Sequence, residues 1–537
     1  MEVVERQRRS QTLMLILSAC LLAFSHASSA SLHHRKQSTT PSEEIVWTGY
    51  AGNAQHTSLS KYSPSGYGTI AWSALLDQNP PINGSDLAIH YGAGSLTANT
   101  LVYPYRYTGG FEFLARRISN GQLVWSYLSN YKFPPSGWDW IPPVSGTLLP
   151  DGSYAGPLVG GGIFVRSHSD QTAQPIKTYY PYSLAKSVST YFNNVFISTG
   201  ITADSAGNIY YGIRTYTNLP NGLKSGFVKM SESGVATIYS STNSLWPSMN
   251  AAPTLSNDGK TVYVSEISAA NGWESHLIAL DTSTMTQKAD ALLVDPYGGQ
   301  ANAHGDSTAS PMVGPDGDVY YGVMYGFNSH GWLDHFDSNL NLKGARGAFG
   351  WDDTPSIVPS SLVPSYTGTS SYLLFCKYNH YADFGQEAGN NTVAVIDPNS
   401  QYTDPVTGAT IMKPVFTTLG VTPDPRFIAT YPNAVREWCI NSAAVDIPGK
   451  SVVVNCEDGT VYKLDLTTGA LTSRIAVTDG IGEPYTPTMI AKDGTIFAVS
   501  KARIFAIRAK AVHVVTTAVA DRSVSGASHS AVAPNRR

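Results

Sequence analysis

Histidines, acidic residues and large aromatics recur in a few short segments of this chain, and their types suit one another chemically. Trp138 and Asp139 are adjacent, His304 and Asp306 lie two apart, and His330, Asp353, Glu437 and Glu483 each stand beside a glycine, another acid or an aromatic. The densest group is YNHYADFGQEAGNN, residues 378–391, which carries His380, Tyr381, Asp383 and Glu387. Carboxylates paired with imidazoles can act as general acid and base or hold a cation. Tryptophan and tyrosine faces can stack on sugar rings. Asp and Asn at strand ends also satisfy backbone donors without any further role. These twelve residues are therefore candidates for one ligand site, and further loop residues such as Trp246, Asp352 and Trp438 flank it.

No complete catalytic signature accompanies them. The chain has no G-x-S-x-G, no H-E-x-x-H, no phosphate loop and no C-x-x-C-H. The acids and histidines leave room for a polysaccharide lyase, but no residue pattern selects it. A net charge of −4 without a basic cluster argues against nucleic acid, which needs concentrated Lys and Arg.

Something must hold these segments together, and the sequence is strand material throughout. Short Val, Ile, Tyr and Phe runs alternate with Gly, Asp and Asn turns, without a long helical period. Hairpins such as APTLSNDGKTVYVSE (252–266), SPMVGPDGDVYYG (310–322) and TPTMIAKDGTIFAVS (486–500) recur at intervals of 45 to 60 residues. Such a period in an all-β chain predicts propeller blades. Starts near residues 95, 157, 200, 252, 308, 355, 441 and 486 give eight four-stranded blades. Seven is the alternative, because the second and sixth are weakly marked. The last unit lacks a fourth strand, which TIAWSALL around Trp72 is placed to supply, closing the ring. The propeller is expected over 45–508 as one domain.

The long second-to-third-strand loops are then 167–177, 217–226, 268–275, 326–331 and 378–391. They should share one face with the links between blades. That face is where a ligand is expected.

At the N-terminus, Arg6, Arg8 and Arg9 precede an apolar run and small-x-small cleavage sites ending at Ala27 or Ala30. This predicts a signal peptide over 1–30, too short to span a membrane, and a secreted chain. LSAC at 17–20 is a weaker, lipoprotein-type alternative. A disordered leader is expected over 31–44 and a disordered tail over 509–537. Two sequons mark Asn83 and Asn390 for glycosylation in a secreted protein. Of three mature cysteines, Cys439 and Cys456 flank the turn 446–449, so a disulfide across that hairpin is expected. Pairing of Cys376 with Cys439 is the rival.

WTGYAGNAQHTSLS (47–60), ARRISNGQLVW (115–125) and YKLDLTTGAL (462–471) resemble the repeats of quinoprotein-like, pyrroloquinoline-quinone-type β-propellers. The resemblance covers about 45–507 and implies the fold. That fold carries enzymes, assembly factors and binding proteins alike. Calcium or pyrroloquinoline quinone is the cofactor pair the resemblance brings, yet the chain departs from the quinone enzymes. It lacks their adjacent cysteine pair, and only Trp125 and Trp72 stand at the blade-end docking position. No cofactor follows from the residues themselves. The expectation is a secreted propeller binding an extracellular carbohydrate or protein through its loop-rich face. An oxidoreductase or a lyase using the same pocket is the alternative.

Overall fold

The computed structural model describes residues 43–510 apart from 84–85, 88–89, 137–143, 184–187, 243, 304–308, 326–329, 383–386, 406–407 and 480–485. Eight of their nine sheets are arranged as the blades of a propeller, antiparallel apart from Leu59–Ser60, which pairs in parallel with Ala444–Asp446. The innermost strands are Ser95–Thr97, Thr147–Leu148, Thr202–Ala203, Thr254–Leu255, Met312–Val313, Ser356–Pro359, Ala444–Asp446 and Met489–Ile490. In the third, fourth and fifth blades the inner strand is split in two, and both halves pair with the second strand.

The second blade begins ten residues earlier than the sequence predicts. Its first hairpin turns at Asp151, whose side chain accepts the Ser153 amide at 2.8 Å. Loop 167–175 therefore joins the third strand, Ile163–Arg166, to the fourth, Ile176–Tyr179, and lies on the opposite face from the other long loops.

Ring closure follows expectation. Thr69–Leu75 pairs antiparallel with Arg503–Arg508 and completes the eighth blade. The chain before it does more. Ile45–Trp47 pairs with the inner strand of the first blade. Backbone carbonyls of Thr48, Ala54, Gln55, Thr57 and Ser58 then accept the amides of Leu148, Leu255, Val313, Ile357 and Val445 at 2.8–3.0 Å. One segment thus satisfies donors on the inner edges of blades 1, 2, 4, 5, 6 and 7 in turn. Its buried His56 sits 2.7 Å from both the Thr254 hydroxyl and the Pro311 carbonyl, and burial lowers its pKa to about 4, so it is neutral.

Adjacent blades are locked at their outer ends by aromatic docking. The Trp72 indole donates to Ile118 O at 2.8 Å, and that of Trp125 to Ser169 O at 2.7 Å. Tyr179 and Phe416 occupy equivalent outer-strand positions. A Cβ added to the next blade's turn glycine would lie 2.8 Å from Trp72 at Gly121, 2.2 Å from Tyr179 at Gly234 and 3.1 Å from Phe416 at Gly469. All three glycines have φ between +70° and +84°. A count of tryptophans therefore undercounts the docking positions, because tyrosine and phenylalanine fill them too.

The predicted Cys439–Cys456 disulfide is not formed, and all three described cysteines are buried thiols. The hairpin register pairs Ala444 with Val453 and Asp446 with Ser451. Continued outward, it sets Cys456 against residue 441 rather than 439. The Cys456 thiol instead donates to Glu437 O at 3.0 Å.

Replacing Gly234 by Ala should cost ~2 kcal/mol or more, combining left-handed strain with displacement of Tyr179. Gly222→Ala, with a similar φ but no atom within 4 Å of the new Cβ, should cost only ~1 kcal/mol. Urea unfolding of the two variants checks this, and equal losses would show that docking contributes nothing.

Candidate functional site

The sixth blade carries the longest of the predicted loops, between strands Tyr372–Tyr378 and Thr392–Thr403. Buried Asn391 fixes its base: its side-chain oxygen accepts the His380 amide at 2.9 Å and its amide group donates to Val435 O at 2.9 Å. Gly389 N donates to His380 O at 2.8 Å, closing the loop on itself. The effect is to bring Glu387 back against His380.

Glu387 lies between two imidazoles. His380 Nδ1 is 3.0 Å from Glu387 Oε2, and His330 Nε2, from the fifth blade, is 3.5 Å from Oε1. Burial opposes ionisation of Glu387, but the two imidazoles outweigh it and hold its pKa at about 2. His330 stacks on Phe349 with centroids 6.2 Å apart, and Phe349 meets Tyr381 edge-on at 5.9 Å. The Lys377 ammonium lies 5.3 Å from the Phe349 ring centre. Asp353 is buried close by, and burial pushes its carboxyl up to about 8 although Lys377 pulls the other way. Burial, then the nearby Glu437, raises the Tyr381 phenol.

Six predicted residues, His330, Asp353, His380, Tyr381, Glu387 and Glu437, thus fall in one region spanning blades 5, 6 and 7. Trp138, Asp139, His304, Asp306, Asp383 and Glu483 lie outside the described residues. Of the sequons, Asn83 ends the short strand Ile82–Asn83, and Asn390 is exposed beside the loop.

A cleft of about 650 Å³ opens over this region. His380 and Glu387 contribute to its wall together with Tyr378, Tyr402, Asp404 and Tyr431. Tyr378 opens the predicted loop, whereas Tyr402, Asp404 and Tyr431 lie outside every segment singled out from the sequence. Tyr402 and Asp404 reach the cleft because the strand pair Thr392–Thr403 and Thr410–Leu419 bulges between Asp397 and Gln401. Beyond the bulge, Ile411 bridges Arg346 of the fifth blade, which folds the end of the hairpin over its neighbour. A Y-x-D triplet next to a turn was the only local signal. Burial, helped by Tyr402 and Asp404, raises the Tyr378 phenol well above its usual value.

Glu437 belongs to a separate ion network. Glu437, Cys439 and Glu457 have ligand atoms within 4.8 Å of one another, the one such group of three His, Cys or acidic residues among the described residues. Arg426 Nη2 lies 3.0 Å from Glu457 Oε1 and 2.6 Å from Asp424 Oδ2, and Arg436 Nη1 lies 3.5 Å from Glu457. Two guanidiniums already supply the positive charge these carboxylates need. Among the described residues this donor set does not fit calcium bound with a quinone, which would need a cluster of oxygen ligands without competing cations.

No protein-family model matches the chain. No curated protein matches its sequence. Solved structures do match its fold. A europium-containing methanol dehydrogenase superposes with a TM-score of 0.54 at 9% identity, over 85% of this chain and 89% of that one. The quinohemoprotein alcohol dehydrogenase from Comamonas testosteroni gives 0.54 at 10% identity, over 88% and 81%. The fold is a quinoprotein-type propeller. At such low identity the likeness extends to the eight-bladed scaffold and no further. Within that scaffold, no helix among the described residues is long and apolar enough to cross a membrane.

The lowered Glu387 pKa has a definite sign. Its unfolded value is near 4.5, so its ionised form stabilises the fold above that pH, and the contribution disappears as pH falls towards 2. Glu387→Gln should cost on the order of 1–3 kcal/mol at neutral pH. The gap to wild type should close between about pH 4.5 and 2. Melting temperatures across that range test it, and a gap independent of pH would contradict the ion-pair assignment.

Proposed function

We propose that this chain is a secreted propeller that binds an extracellular carbohydrate in the cleft of its sixth blade. The observation that carries the reading is the composition of that cleft. Tyr378, Tyr402 and Tyr431 offer aromatic rings, and Glu387, Asp404, Asn390 and His380 offer hydrogen-bonding groups around about 650 Å³ of space. That volume suits a small ligand or one or two units of a polymer. Sugar rings present apolar faces for tyrosines and hydroxyls for carboxylates, so this mixture of groups matches them. The N-terminal signal supports delivery outside the cell, and the long loop is placed by a rigid blade.

A second reading rests on Glu387. A carboxylate fixed beside His380 orients an imidazole at the cleft wall, where it could move a proton on a bound sugar. A lyase acting this way would release unsaturated sugar ends, which absorb in the ultraviolet. The methanol and alcohol dehydrogenases share the scaffold, but the donor set described above gives a quinone-dependent reaction no support here.

Titration calorimetry of the secreted protein against a panel of oligosaccharides tests the proposal. Binding should be seen with at least one glycan, and Tyr402→Ala should weaken it by roughly tenfold or more, the loss of one stacking or apolar contact. Retained affinity in Tyr402→Ala would move the site elsewhere. Silence across the panel would favour a protein partner.

A further inference from the structure

We infer that Asn390 is a modification site, and that the first sugars of an N-linked glycan carried there occupy the blade-6 cleft. This rests on the carbohydrate reading and names an occupant, a glycan tethered to the chain itself. Asn390 opens the triplet Asn390-Asn391-Thr392, the acceptor pattern for such a glycan in a secreted protein. It is the exposed member of the triplet, since Asn391 and Thr392 are buried. It is also one of the residues lining the cleft, together with Tyr378, Tyr402 and Tyr431. A sugar on its Nδ2 therefore starts at the cleft wall.

The attachment point is held on both sides. Gly389 N donates to His380 O at 2.8 Å, and Gly389 O accepts the Val435 amide at 2.9 Å. Asn391 is pinned through both ends of its side chain, by His380 N and by Val435 O. N-acetylglucosamine offers an apolar face for a tyrosine ring, with hydroxyls and an acetamido group for the polar wall. Tethering supplies what a weak site lacks, because a short link gives an effective concentration in the millimolar range. With about 1 mM of tethered sugar, a site whose free-sugar Kd is about 0.1 mM is filled about nine-tenths of the time.

Thr392 fixes the timing. Enzymatic transfer to such a triplet engages the hydroxyl of its third residue, and in the fold that hydroxyl is buried and donates to Tyr378 O at 2.8 Å. The glycan is therefore added before Thr392–Thr403 pairs with Tyr372–Tyr378. The donor is a lipid-diphosphate-linked oligosaccharide. Its glycosyl–phosphate bond breaks as the bond from Asn390 Nδ2 to the anomeric carbon forms. The lipid diphosphate leaves, and one amide proton goes to solvent.

The experiment is endoglycosidase digestion of the full chain secreted from a eukaryotic host, followed by peptide mass spectrometry at Asn390. The enzyme cuts between the two innermost N-acetylglucosamines. It should release the Asn390 glycan at least about tenfold more slowly from the native chain than from the urea-unfolded one, matching that occupancy. Native Tyr402→Ala should lose most of this protection, which general shielding by the fold would not explain. If that variant fails to fold by circular dichroism, Tyr431→Ala takes its place. An Asn390 peptide without glycan would overturn the inference. So would equal release from native and unfolded chain, or protection unchanged in the folded tyrosine variant. The carbohydrate reading is judged separately, by calorimetry of unglycosylated chain secreted into a bacterial periplasm against di-N-acetylchitobiose and the wider oligosaccharide panel. Binding there, with no protection at Asn390, would sink the tethered occupant alone. Protection at Asn390 with no free oligosaccharide bound would sustain the tethered occupant and fail the free-ligand reading.

Discussion

The inner edges of eight sheets have to be satisfied at once, and the segment 45–60 does most of it. Each inner strand presents amides towards the axis with no further strand to receive them. A carbonyl from Thr48, Ala54, Gln55, Thr57 or Ser58 accepts one in each of blades 2, 4, 5, 6 and 7, and Ile45–Trp47 pairs with the first. Unmet backbone donors in a buried position cost about 1–3 kcal/mol each, whereas a formed bond contributes about 1. The constraint is therefore strong even though each bond is modest. To make these contacts the segment accepts positive φ at Ala51, His56 and Ser58, a conformation side chains disfavour. That local strain is held by the blades on either side.

Once the inner ring is fixed, the outer ring follows from docking. Trp72, Trp125, Tyr179 and Phe416 each reach the next blade's turn, three of them over a glycine that alone leaves room. Loop 378–391 can then be long, and can be anchored by Asn391 and Gly389 without disturbing the sheet beneath it.

The region around that loop shows two distinct uses of charge. Asp424, Arg426, Arg436, Glu437 and Glu457 form a closed network between the sixth and seventh blades. Buried charges of this kind are costly unless fully paired, and here they are paired. A few residues away, the cleft keeps carboxylates at a surface open to ligand, with tyrosines between them. The scaffold shared with dehydrogenases thus carries a wall of tyrosines and carboxylates at this blade.

The local alternation of strand residues and the Asp-Gly turns determined the blades, because both act within a hairpin. Asp151, Asp258, Asp316 and Asp493 each accept an amide two residues on, which is why those turns were legible. The closing strand around Trp72 was legible too, since a final unit with three strands requires a fourth. The same local reading brought His330, His380 and Glu387 forward, and they meet. What it could not reach was register and folding at a distance. Two residues of register separate Cys439 from Cys456, and the sequence carries no mark of that offset. The bulge after Asp397 sends Tyr402 and Asp404 to a cleft whose other wall is twenty residues earlier, and Tyr431 arrives from the link to the next blade. The path of residues 45–60 across six inner strands was equally hidden, because its partners are spread from Leu96 to Asp446. Only the closed ring brings those groups within hydrogen-bond range.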